Sequence, residues 1–319
     1  MERPVTYKFK TPTLTIDITG NIPNWCTYRI PYAKAEQISI QEGTVICQFH
    51  SHVLYFMEVI EIDLHTDLAA SYLVENTSLF LYLMIKGGMS FLTPEGKPIA
   101  NAPEGVCYAT YNKSGEYVLH LPKGKYLICY LCPRPLWILR NLDRYPRLRP
   151  FMESMDNSDD LFDHMPACLI DSDMKDNLKQ LLEDKETKGV DLESLLSGDA
   201  KILIDDYQRL LDVKFAQRAY RIKDFLENNF ADASLDNTAL ARMFNVSEKT
   251  MIDDFKDQLG NTPYHYLIQV RMVHAKRMLT MDKMHVKDVY IKVGYRDLHS
   301  FQVQYKKSMG NPPSDDDKG

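Results

Sequence analysis

Two stretches fifty residues apart carry the side chains in this chain that are placed to recognise something. In the first, Lys249, Thr250, Asp253 and Lys256 fall on one face of a helical pattern. In the second, His299, Gln302, Lys306 and Lys307 do the same, with Arg296 just upstream. Lys and Arg so spaced are phosphate partners. Gln302 has the amide that pairs with an adenine edge in a major groove, and Asp253 has the carboxylate that accepts from cytosine N4. Side chains of these types would suit recognition of double-stranded DNA better than the making or breaking of a bond.

Other constellations are weaker. His50 and His52 share a strand face with His65 further on, the beginnings of a cupin-like metal site. No carboxylate follows at metal-box spacing, so neither a metal nor another cofactor is expected. Cys129 and Cys132 stand three apart, and strand alternation sends such a pair to opposite faces. No second pair exists to complete a zinc knuckle, and there is no G-x-S-x-G elbow or phosphate-cradling glycine loop. We therefore expect no enzyme.

The elements that must position the two faces form a repeat. Phe255, Lys256, Gly260, Asn261 and Pro263 return as Tyr305, Lys306, Gly310, Asn311 and Pro313. Before the first copy, Leu240, Ala241 and Phe244 keep helical spacing up to the turn Asn245-Val246-Ser247, whose Ser is a good N-cap. Met251, Phe255 and Leu259 then make one buried stripe, matched by Phe301, Tyr305 and Met309 after Ile291, Val293 and Gly294-Tyr295. A short helix, a tight turn and a second helix is a helix-turn-helix, expected at about 238–259 and 286–309. Opposite the stripes lie Lys249, Ile252, Asp253 and Lys256 in one unit, and His299, Gln302, Val303 and Lys306 in the other. A helix over 264–281 separates them, about 27 Å long at 1.5 Å per residue. That length suits two reading helices about 34 Å apart on one duplex face.

Residues 217–315 resemble the DNA-binding domain of AraC/XylS-type transcriptional regulators. The likeness rests on Tyr266-Leu267-Ile268, Arg271 and Ala275-Lys276-Arg277 with Leu279 in the linker, and on Val293-Gly294-Tyr295, Phe301 and Tyr305-Lys306-Lys307. It implies a bacterial cytoplasmic regulator, an activator that meets RNA polymerase. The amino-terminal part would sense a small-molecule effector or form a homodimer. The chain departs from the pattern at Asp253 and Asp254, where such regulators usually carry Arg and an apolar residue, and at Ile252, usually small and polar. The first unit is then a weak reader or a brace, and the second the stronger one. After Pro313-Ser314 the acidic tail replaces a usual aromatic and is left out of the expected fold.

Length and composition agree. A chain of 319 residues with 45% hydrophobic content has room for two domains or more. Its longest apolar run, residues 79–85, is far short of the eighteen or so a membrane helix needs. No signal peptide opens the chain and its six cysteines are scattered, so a reduced intracellular protein with no membrane contact is expected. Net charge is −6 overall, yet residues 234–309 hold 12 Lys and Arg against 8 Asp and Glu.

The fold class expected is α+β and multidomain. Residues 1–134 alternate as strands over 14–18, 44–49, part of 53–63, 79–85, 106–111, 117–121 and 126–132. Turn signals separate them at Gly87-Gly88, Pro94-Glu95-Gly96, Asn112 to Gly115, and Pro122-Lys123-Gly124. They suggest a sandwich or a cupin-like barrel. Residues 135–215 read as a helical connector (136–141, 174–182, 190–196, 200–216) with an acidic loop at 156–163. The faces of Leu178, Leu181 and Leu182 and of Ile202, Leu203, Leu210 and Leu211 either close the barrel or form a dimer seam. Residues 216–315 are the all-α domain. The competing reading is a small-molecule-binding or enzymatic cupin-like barrel whose helical tail contacts proteins; bound metal or turnover would favour it, and retention on duplex DNA would not.

Overall fold

The computed structural model describes residues 3–93, 96, 98–157, 160–183 and 189–317. Two compact units divide the chain, Met1–Asp212 and Val213–Gly319.

The first unit runs β1 (Val5–Lys8), β2 (Leu14–Asp17), β3 (Lys34–Ile40), β4 (Gly43–Ser51), β5 (Tyr55–Leu64), β6 (Leu68–Val74), β7 (Ser78–Lys86), β8 (Met89–Leu92), β9 (Pro98–Ala102), β10 (Val106–Asn112), β11 (Gly115–Leu121) and β12 (Gly124–Pro133). Then come α1 (Pro135–Leu139), α2 (Arg149–Asn157), β13 (Phe162–His164), β14 (Cys168–Leu169), α3 (Ser172–Leu182) and α4 (Val190–Ala216). Among the described residues the strands make a five-stranded sheet, β1-β6-β11-β8-β9, and a nine-stranded sheet, β13-β10-β7-β12-β5-β4-β3-β2 with β14 beside β10.

Patterning explains the layers. Strands β6 and β11 alternate buried with less buried residues, as expected where one face meets water. Strands β5, β7, β10 and β12 are buried almost throughout, because both their faces are covered. On one side Ile60, Tyr82 and Ile128 share a core with Tyr72, Phe91 and Leu119 of the smaller sheet. On the other lie the helices: the Tyr55 hydroxyl donates to the Leu196 carbonyl (3.1 Å), and the Tyr32 hydroxyl to that of Leu181. Leu178, Leu181, Leu182, Leu203 and Leu211 are buried within this unit, while Ile202 stays 39% exposed.

Three readings of the sequence need correction, and a fourth falls partly outside the described residues. Strands β1, β3, β6, β8 and β9 were not expected, being short, or carrying polar residues at the outward positions of a half-exposed strand. The segments 190–196 and 200–216 are one helix, α4, because buried Leu196, Leu203 and Leu211 offset the cost of about 1 kcal/mol for helical Gly198. Residues 156–163 are not a plain loop: α2 ends at Asn157, and Phe162–His164 pairs with β10. Of the turn at 94–96, Pro94 and Glu95 lie outside the described residues.

Between the two sheets is a cavity of about 50 Å³, lined by Val5, Tyr7, Phe9, Tyr72, Tyr82 and Phe91 among others. Nearby, Glu58 is fully buried in the middle of β5. It accepts from the Arg3 guanidinium, from Tyr7 Oη at 3.3 Å and from Tyr130 Oη. A buried carboxylate is tolerated only when so surrounded. Arg3→Ala should therefore destabilise the protein by about 2–4 kcal/mol in urea unfolding, and adding Glu58→Gln should recover part of that loss. A silent Arg3→Ala would show that the two tyrosines suffice.

The second unit is all helix: α5 (Arg218–Asn229), α6 (Asn237–Met243), α7 (Glu248–Leu259), α8 (Pro263–Thr280), α9 (Val286–Lys292), α10 (Leu298–Met309) and α11 (Pro313–Asp316). It has two cores. Ile222, Leu226, Leu240, Met251, Phe255 and Leu267 form one; Met272, Ala275, Leu279, Val289, Phe301 and Tyr305 form the other. Helix α8 supplies residues to both.

Candidate nucleic-acid interface

Local chemistry repeats as closely as the sequence does. Asp236 caps α6 through the Ala239 N–H (2.7 Å), and Asn245 makes the turn with φ of +50°. Ser247 then caps α7 by accepting from the Thr250 N–H at 3.1 Å. In the second unit Gly294, φ +81°, makes the turn, and Asp297 caps α10 by accepting from the Ser300 N–H at 2.8 Å. Both long helices end on a left-handed glycine, Gly260 and Gly310. The side-chain caps and glycine stops of the two outer helices, α7 and α10, thus repeat, while α6 has a side-chain cap in Asp236 that α9 lacks.

Their relative placement is set by Arg271 on α8, which is only 6% exposed. Its Nε donates to the Phe230 carbonyl and an Nη to that of Asp232, each at 2.8 Å, and the guanidinium lies 5.5 Å from the Tyr295 ring centroid. Those carbonyls follow α5, and Tyr295 lies in the turn before α10, so within the helical unit one side chain ties the first helix-turn-helix to the second.

All nine expected contact residues are exposed: Lys249, Thr250, Asp253 and Lys256 around α7, and Arg296, His299, Gln302, Lys306 and Lys307 around α10. The two faces differ in character. The Thr250 hydroxyl is engaged with Ser247 Oγ at 2.8 Å. Lys256 is set among Asp253, Asp254 and Asp257 on one open depression. Asp254 is drawn away by Arg218 on α5, 2.9 Å off, a pairing the sequence reading missed because the partners lie 36 residues apart. Ile252, expected on the solvent stripe, is instead half-buried against the first core. On α10 no acidic residue stands among the exposed positions, and Val303, outside the expected contact set, is 55% exposed at its middle.

The acidic tail proves to be part of the fold. Asp316 on α11 accepts from Tyr305 Oη at 2.6 Å and from Asn311 Nδ2 at 3.2 Å, and the Tyr305 bond holds its carboxyl below the usual range. Asp317 accepts from the Val286 N–H at 3.2 Å.

In the first unit, a carboxylate does reach the strand histidines: Glu193, on α4, lies 2.9 Å from His52 Nε2 and 3.7 Å from His50 Nε2. Sequence spacing could not show it, since Glu193 is 141 residues beyond His52. The group is not built for a metal. The Leu54 N–H donates to His52 Nδ1 at 3.1 Å, which leaves the proton on Nε2, where it donates to the Glu193 carbonyl. Among the described residues no three His, Cys, Asp or Glu side chains gather to hold a metal ion. Cys132 lies in the core between the sheets and Cys129 on the opposite face, as alternation requires.

Comparison with known proteins identifies the helical unit. Residues 240–318 match the model of a helix-turn-helix domain family. The HTH-type transcriptional activator RhaS of Yersinia pestis (strain Pestoides F) is 29% identical over 98 residues, 31% of this chain and 36% of its own. RhaS of Escherichia coli O139:H28 is 29% identical over 100 residues with the same coverage. The C-terminal domain of AraT, a response regulator from Geobacillus stearothermophilus, is 26% identical over 31% of this chain and 83% of its own, with a TM-score of 0.31. The second unit is an AraC-type helix-turn-helix domain, homologous to the DNA-binding domains of that family. The chain spans about a third of the length of the curated relatives it matches. Among the described residues no helix is long and apolar enough to cross a membrane.

The turn at Gly294 can be tested. A Cβ there would stand 2.7 Å from the Phe230 carbonyl oxygen and 2.9 Å from both the Ala231 oxygen and Arg271 Nη2, whereas one at Gly310 meets nothing within 4 Å. Gly310→Ala should cost only the left-handed backbone, about 1–2 kcal/mol. Gly294→Ala should cost about 1–3 kcal/mol more from the clash. Equal melting temperatures for the two variants would refute the tie between the two helix-turn-helices.

Proposed function

We propose that this protein is a sequence-specific DNA-binding transcriptional regulator of the AraC/XylS type, working in the cytoplasm. The observation that carries this reading is the doubled helix-turn-helix, homologous to the domain of an HTH-type transcriptional activator, with polar and basic side chains exposed on its second outer face. In this reading α10 is the stronger reader: Lys306, Lys307 and Arg296 take phosphates, while Gln302 and His299 face base edges. Helix α7 approaches DNA through Lys249, Thr250 and Lys256, with Asp253 either repelling phosphate or accepting from a cytosine. The first unit senses a small-molecule effector or pairs two copies of the chain, and its apolar cavity is where an effector would sit. RNA polymerase is the protein partner.

Retention of the full-length protein on duplex DNA, released by rising salt, tests the reading at its base. Lys306→Ala should weaken binding to all sequences alike and lower the salt slope by about one. Gln302→Ala should cost about 1–3 kcal/mol at one base pair and relax the preference there. Asp253→Arg should raise affinity for unrelated DNA by exchanging a repulsive charge for a phosphate partner. A silent Gln302→Ala beside an Asp253→Arg that abolishes specific binding would reverse the ranking of the two helices.

A further inference from the structure

At 3.6 residues per turn, a residue midway between members of an i, i+4 stripe stands about 180° from it. Phe301 and Tyr305, both fully buried, are such a stripe, and Val303 is the residue opposite. The centre of the outer face of α10 is therefore an isopropyl group, 55% exposed. His299 lies one turn before it and Lys306 and Lys307 one turn after, all exposed. Single exposed apolar residues are common and mean little alone. Here the position matters, because the outer face of the second helix of a helix-turn-helix is the part that enters a major groove. Valine also gives the exposed helix nothing: it is among the poorer helix formers, and its side chain has no polar atom.

The floor of the major groove is almost wholly polar. Its base edges offer N7, O6 and O4 acceptors and N6 and N4 donors; the apolar feature among them is the C5-methyl of thymine. An isopropyl group held there meets that methyl or else strips water from a donor or acceptor it cannot replace. We propose that Val303 is a specificity residue that reads a thymine through its C5-methyl group. The proposal rests on the DNA-binding reading above and adds a base to it. The corresponding centre of α7, opposite Met251 and Phe255, is Asp253, which can only accept. The repeat therefore carries unlike side chains at the same place.

Deoxyuridine tests this, since it removes the methyl and nothing else. A duplex enriched by the full-length protein from a random pool is resynthesised with each thymine replaced singly by deoxyuridine. The wild type should lose about three- to fivefold in affinity at one thymine of the α10 subsite, the worth of one buried methyl. Val303→Ser should bind both forms alike, at the deoxyuridine level, and Val303→Thr, which keeps one methyl, should restore part of the difference. Val273→Ser, which removes a similarly exposed isopropyl group from α8, should keep the full deoxyuridine penalty. Tolerance of deoxyuridine at every thymine by the wild type would overturn the proposal, as would a penalty that survives Val303→Ser. Failure to enrich any duplex at low salt would overturn the DNA-binding reading and this one together.

Discussion

A guanidinium taken out of water is costly unless its donors find partners, and Arg271 is such a group at the middle of the helical unit. It is kept there by two carbonyls and an aromatic face, none of which belongs to its own helix. The carbonyls of Phe230 and Asp232 lie where α5 has ended, and that of Asp232 also accepts from the Leu235 N–H at 3.3 Å. Gly294 leaves the room that a side chain would fill. Because Phe230 also touches both cores, the first reading unit, the linker helix and the second unit meet at this point. The angle between α7 and α10 is thereby a property of the packed domain, and not of the linker length alone.

With the backbone secured by caps, left-handed glycines and buried stripes, the outer faces are free to differ. Exposed positions carry little of the stability, so a duplicated unit can change what it reads without changing how it folds. The faces have diverged accordingly. Around Lys256 stand Asp253, Asp254 and Asp257, and Arg218 takes up one of those charges, so the face has little positive charge left for a phosphate. On α10 the charges are Lys306 and Lys307, in the last turn, where cations also favour the helix dipole.

The first unit follows a different logic. The central strands of its large sheet are covered on both faces, so they are mostly apolar, and the polar groups they do bury must find partners. Glu58 is answered by Arg3, Tyr7 and Tyr130. Glu61 is answered by the backbone N–H groups of Thr27 and Tyr28, and Gln48 by the Ile30 N–H and the Tyr28 carbonyl. His52 closes on α4 in the same way. Such bonds join segments far apart in the chain and hold one register of the sheet.

Periodicity and punctuation were enough to read every helix of the second unit but α11, both turns and the shared stops at Gly260 and Gly310, because those depend on neighbours within a few residues. The apolar strands β5, β7, β10 and β12 were legible for the same reason. Strands β1, β3, β6, β8 and β9 were not, since a half-exposed strand with polar outward residues looks like a loop until its partner is known. Nor could spacing reveal that Asp254 belongs to Arg218, that the acidic tail answers Tyr305 and Val286, that Ile252 turns inward, or that Glu193 reaches His52. Each of these depends on which segments pack together, and burial and long-range pairing are settled by the competition of all such contacts at once. The nine expected contact residues could be named from the chain because solvent faces are what remains when a helix's buried stripe is known. The spacing also put Val303 on one such face; that the rest of the domain leaves it uncovered, only the packed structure could decide.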